Sequence, residues 1–178
     1  MNDFTEKLEY SLGEAQKFDA SLLMKHIPRC VSVEKTNIEM DKKGVDYIAR
    51  LAGGAEIYID AKTRTKGQSK YWKSGKDGMK IPELALEVWS VVGKKAGWTI
   101  NEDSPVDYIL YTFHESDCRS YYFLPFQLLR QSFRKNFQDW KKKYGVKVQI
   151  NNGWKSTAIF VPAPVVVNAI TAEMHGII

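Results

Sequence analysis

The stretch GVDYIARLAGGAEIYIDAKTRTKG, residues 44–67, decides the fold. Residues 45–51 and 55–63 are rich in β-branched and aromatic side chains, and the AGGA between them supplies glycine for a tight turn. That pattern predicts an antiparallel hairpin. Alternation along the second strand sends Glu56, Tyr58, Asp60 and Lys62 to one face and Ile57, Ile59 and Ala61 to the other. A hairpin with an apolar face that also carries Asp60, Lys62 and, at the head of its first strand, Asp46 needs a reason for those three charges.

Outward from the hairpin, Phe4, Leu8, Leu12, Ala15 and Leu22/Leu23 recur near helical spacing. They predict a helix over 4–26, stopped before Pro28. RTKGQSKYWKSGKDGMK (64–80) reads as a loop, and IPELALEVWSVVGKK after it as a helix with Pro82 in its first turn. VDYILYTF (106–113) is apolar on both faces, as a central strand is, and RSYYFL (119–124) is its neighbour. Pro125 opens an amphipathic helix with the stripe Phe126, Leu129, Phe133, Phe137 and Trp140, which Gly145 ends. Arg130, Arg134, Lys135 and Lys141–Lys143 take its remaining positions. A strand near 157–161 and a short last helix complete the order. This is an α/β chain with a mixed central β-sheet flanked by helices.

With 178 residues, one domain over 1–178 is expected, with a core over about 4–125 and an extension over about 126–178. Two cysteines without a CxxC pair fit a reducing compartment. No basic segment followed by an apolar one opens the chain, and AIFVPAPVVVNAI is too broken to span a bilayer. A cytoplasmic protein with no membrane role is the expectation. The net charge of +5 is unevenly spread. Lys62 to Lys80 holds seven basic residues against Asp77, and Arg130 to Lys147 seven against Asp139. Such clusters are the footprint of polyanion binding, although solvated faces look alike.

Two close carboxylates repel unless a cation lies between them or one takes a proton. Magnesium suits such a pair, because it takes one or two carboxylates together with waters and phosphate oxygens. Lys62, two residues after Asp60, points the same way and would orient or deprotonate an attacking water or neutralise charge on a phosphate. Those parts make a phosphodiester-hydrolysis site. The plainer alternative is a surface ion pair on an edge strand, worth about 0–1 kcal/mol.

Asp46, followed after a gap by Asp60-Ala61-Lys62 in IYIDAK, resembles the PD-(D/E)XK nuclease superfamily, with Val45 in place of the proline. The order of helix, motif-bearing hairpin, helix and strand over about 4–125 is similar too, and the whole chain looks like phage or prophage nuclease-like proteins. The resemblance implies a restriction-endonuclease-like core. It implies Mg2+ (or Mn2+) held by Asp46, Asp60 and the Ala61 carbonyl, with Lys62 assisting water. It also implies a glutamate from the first helix, here Glu14 in LGEAQKF, with Glu6 and Glu9 as alternatives. Glu87, or Glu83, would be an accessory acid. The activity implied is metal-dependent hydrolysis of DNA, in a bacterial host or encoded by a phage, with a homodimer allowed. The alternative is a nuclease-fold DNA-binding or protein-interaction module with little catalysis. In the basic loop, Arg64, Lys66, Lys70 and Lys73 would meet phosphates, while Tyr71 and Trp72 would stack on bases or sugars.

Other chemistries find no support in the residues. His26, His114 and His175 are scattered without zinc spacing. Cys118 near His114 lacks a third group. LAGGAE and GKDG lack the strand–loop–helix setting of a nucleotide cradle.

Overall fold

The computed structural model describes residues 14–64, 72–74, 80–114 and 119–176. Contacts divide the chain into two compact units. The first comprises Met1–Thr63, Pro105–Thr112 and Tyr121–Phe123, and the second the remainder.

In the first unit, helix α1 (Glu14–His26) leads to strand β1 (Cys30–Lys35), the one-turn helix α2 (Ile38–Lys42), β2 (Tyr47–Leu51) and β3 (Glu56–Arg64). Strands β7 (Tyr108–His114) and β8 (Arg119–Pro125), which this unit includes through Thr112 and over Tyr121–Phe123, complete a five-stranded sheet in the order β1-β2-β3-β7-β8. The hairpin forms as predicted. Gly54 takes φ +81, a conformation open to glycine, and the Leu51 N–H closes the turn on the Ala55 carbonyl at 2.9 Å. The register pairs Tyr47 with Ile59 and Ala49 with Ile57. The β1–β2 and β2–β3 pairs are antiparallel.

The β3–β7 pair runs the other way. Asp107 donates its N–H to the Tyr58 carbonyl at 2.8 Å and accepts the Tyr58 N–H on Oδ2 at 2.8 Å. Farther along, Thr112 Oγ1 meets Thr63 Oγ1 at 3.2 Å. Both contacts join residues 49 apart, so the strands advance together and the sheet is mixed. Leu23 of α1 and Ile27 just after it pack on Tyr47, Ala49, Ile59 and Leu110, with Ile57 and Ala61 at the margin. Each fully buried aliphatic side chain there contributes roughly 1.5–3 kcal/mol.

The second unit holds β4 (Trp72–Ser74), β5 (Lys80–Val91), β6 (Lys95–Ala96), α3 (Phe126–Tyr144), β9 (Val146–Asn151), β10 (Trp154–Pro162) and α4 (Ala163–His175). Its strand order is β4-β5-β10-β9, with β6 beside β5. Leu84 and Leu86 of β5 face Val161 and Ile159 of β10. These four, with Leu129, Phe133 and Trp140 of α3 and Val166 and Ile170 of α4, are buried. Gly145, at φ +72, ends α3 with its N–H on the Lys141 carbonyl at 3.0 Å, as expected of a stop signal.

Four expectations are corrected. Trp72–Ser74, inside the expected loop over 64–80, form strand β4 paired to β5. The segment IPELALEVWSVVGKK is not a helix, because Lys80–Val91 is strand β5. Leu84, Ala85 and Leu86 are consecutively buried, which a strand covered on both faces allows, and pairing to β4 and β10 outweighs the helix propensity of Leu, Ala and Glu. The strand near 157–161 is the longer β10, and it has an antiparallel partner, β9, that the reading omitted. Arg130 does not join the solvated face of α3. It is buried, with its guanidinium over the Phe126 ring at 5.5 Å.

Candidate functional site

Asp46 stands one residue before β2 and is already paired to β3, its N–H donating to the Ile59 carbonyl at 2.8 Å. Its carboxylate turns toward β3, where Oδ2 accepts the Ala61 N–H at 2.8 Å. Asp60 is only 3% exposed, and its Oδ1 accepts Lys62 Nζ at 2.6 Å. Burial first, then the charge of Asp60, hold the Asp46 carboxyl above its ordinary range, while the Ala61 N–H and Lys62 oppose the shift. The pleat thus places Asp60 and Lys62 on one face, and the hairpin register brings Asp46 to them.

Two further acids adjoin this pair, and the sequence reading named neither. Asn37 caps α2 by accepting the Met40 N–H at 3.1 Å. That short helix carries Asp41 to Asp46. The Asp41 carboxyl is raised by desolvation first and next by hydrogen-bonding contact with the Asp46 carboxyl. Asp19 of α1 is 2% exposed. Its Oδ2 accepts the Tyr47 hydroxyl at 3.5 Å and its Oδ1 has no partner. Burial lifts it from 3.8 to about 7, and the Asp46 charge adds to the shift. A signal for Asp19 existed, because Ala15, Asp19 and Leu23 succeed one another at spacing four on the predicted apolar stripe.

The donor set fits a hard divalent cation. Asp46 and the buried Asp60 repel each other beside Lys62, and one oxygen of each is taken by the Ala61 N–H and by Lys62 Nζ. Among the described residues, no group of three or more His, Cys, Asp or Glu is arranged to hold a metal by itself. Two carboxylates supplemented by waters and substrate oxygens are the usual magnesium complement.

The remaining expected residues belong to other positions of the chain or fall outside the described residues. Glu14 begins the described part of α1, and Glu6 and Glu9 lie outside the described residues, as do Lys66, Lys70 and Tyr71. Arg64 ends β3. Trp72 and Lys73 belong to β4, paired to Pro82 and Ile81. Glu87 sits on β5 in the second unit and has a structural task. Its Oε2 accepts the Ser90 hydroxyl at 2.6 Å and the Trp98 N–H at 3.3 Å.

No family model matches the chain, and neither a curated protein nor a solved structure is significantly similar to it.

Proposed function

We propose that the chain is a metal-dependent nuclease with a restriction-endonuclease-like core of the PD-(D/E)XK type, hydrolysing phosphodiester bonds of DNA. The observation that carries this reading is the meeting of Asp46, Asp60 and Lys62 at the mouth of one hairpin. The parallel placement of β7 beside the motif strand and the packing of α1 on that hairpin are consistent with it. The implied helix between hairpin and β7 has no counterpart among the described residues, where β5 stands instead.

In this reading Asp46 and Asp60 would hold Mg2+ or Mn2+, and the Ala61 N–H restrains the Asp46 carboxylate for that role. The ion supplies charge neutralisation and a more acidic water when bound. Lys62 leaves its Asp60 partner to orient the attacking water or to meet the negative charge that grows on the phosphate. Burial of Asp60 restrains its carboxylate before substrate arrives.

One observation favours the alternative of a binding module with weak catalysis. Lys62 already neutralises Asp60 at 2.6 Å, so the pair is partly satisfied without a metal. Thermal unfolding separates the two. A nuclease site predicts a higher melting temperature with millimolar Mg2+ or Mn2+, abolished by Asp46→Asn. Equal melting temperatures with metal and with EDTA would favour the binding module.

A further inference from the structure

Arg134 and Lys135 of α3 are neutralised by ion pairs with Glu102 and Glu173. The lysines that follow them are not. From Lys141 to Ala172 the chain holds five lysines and no acid, so this segment alone matches the net charge of the whole chain, +5. Lys141, Lys142 and Lys143 fill the last turn of α3. Lys147 lies on β9 opposite Ala158, which puts it on the same hairpin face as Trp154, and Lys155 lies on β10 opposite Ile150, on the other face. All five are exposed, and none joins an ion pair among the described residues. The neighbouring β5–β6 turn is tied to the same hairpin, where the Val92 N–H donates to the Lys155 carbonyl at 2.9 Å. It brings the exposed Lys94 and Lys95.

The hairpin also presents an aromatic ring. Trp154 is 44% exposed beside the turn at Asn152 and Gly153, where Gly153 takes φ +83. Its strand partner is Asn151, whose amide donates to Ser156 Oγ and accepts from Gln149. Strand β9 is the sheet edge, with Val148 58% and Ile150 77% exposed. An exposed edge of this kind invites a partner. A second copy would set two acid-free lysine clusters against each other. A polyanion with stackable rings complements both the charge and the indole.

We propose that the β9–β10 hairpin, with the lysines ending α3, is a binding surface for a nucleic acid strand that follows the exposed β9 edge, its phosphates reached by lysines from both hairpin faces and a base on Trp154. The choice of nucleic acid among polyanions rests on the proposed nuclease reading, and it names where that substrate is held. Six residues of β9 span about 20 Å, the length of about six nucleotides at 3.4 Å per charge.

The test is fluorescence anisotropy of a labelled twelve-nucleotide oligodeoxythymidine with the full chain in EDTA, so that cutting does not intrude. Each lysine engaged on a single strand contributes about −0.7 to the slope of log affinity against log salt. Lys147→Ala/Lys155→Ala is expected to reduce that slope by about 1.4 and to weaken binding at least tenfold at low salt. Trp154→Ala is expected to weaken it on the order of tenfold without changing the slope. A double variant that removes two charges elsewhere, Lys25→Ala/Lys135→Ala, is expected to do less, with circular dichroism confirming the fold of each protein. Equal affinity and slope in the hairpin and control doubles would overturn the proposal, as would no binding by the unaltered chain. Metal-dependent cutting is measured separately. Binding lost in the hairpin double by a chain that never cuts leaves this surface standing and removes the nuclease reading.

Discussion

The buried acid Asp19 offers a sharp test of the packing beneath the site. Its carboxyl is 2% exposed, has one unpartnered oxygen and is lifted from 3.8 to about 7. The folded state therefore binds a proton that the unfolded state has released between pH 3.8 and about 7. Stability falls as pH rises through that window and levels off above it. At about 1.4 kcal/mol per unit, the ceiling on this loss is about 4 kcal/mol. Asn has the shape of the neutral acid, carries no titrating proton and can still accept from Tyr47. Asp19→Asn should match the unaltered protein near pH 4 and exceed it at pH 8 by up to about 4 kcal/mol. For a chain of this length that corresponds to roughly 8–16 °C in Tm. Taking the difference between the two proteins cancels the contribution of Asp41 and leaves of Asp46 only its coupling to Asp19. Thermal melts at half-unit pH steps measure it. A difference that stays constant from pH 4 to pH 8, or an asparagine variant less stable at pH 8, would refute the reasoning.

Because burial and Asp60 raise the Asp46 carboxyl, a proton competes with metal for it above the ordinary carboxylate range. Calorimetric titration with Mg2+ should show affinity rising with pH across that raised range, and a flat profile would contradict it. Glu87→Ala should leave metal-dependent cleavage intact while costing about 1–3 kcal/mol in urea unfolding, because the Trp98 N–H and the Ser90 hydroxyl lose their acceptor. Loss of cleavage with unchanged stability would instead make Glu87 part of the site.

Legibility in the sequence followed how local each signal was. The β2–β3 hairpin was readable because glycine marks its turn and alternation marks its strands, and that register alone is enough to set Asp46 beside Asp60. VDYILYTF declared β7 by being apolar on both faces, and Pro125, Gly145 and the aromatic stripe bounded α3. β5 misled because Leu, Ala and Glu favour a helix, and only its neighbours β4 and β10 make it a strand. β9 and β10 are marked by Asn152–Gly153 between alternating residues, a turn signal as local as that of the first hairpin. Asp41 was invisible for another reason, since it reaches Asp46 through the turn geometry of a capped five-residue helix. Asp19 shows how one polar residue on an apolar stripe can be overlooked as an imperfection when it adjoins the site.

The central claim is that Asp46, Asp60 and Lys62 together hydrolyse DNA with a divalent metal. The most direct measurement incubates supercoiled, linear, single-stranded and branched DNA with the unaltered chain, Asp60→Asn and Lys62→Ala, each in Mg2+, Mn2+ or EDTA. The account predicts cutting of at least one substrate by the unaltered chain with metal, none in EDTA, and loss of at least a hundredfold in both variants at unchanged circular dichroism, about 2.7 kcal/mol or more of transition-state stabilisation. Cutting that persists equally in both variants, or a folded chain that cuts none of these substrates with either metal, would contradict it.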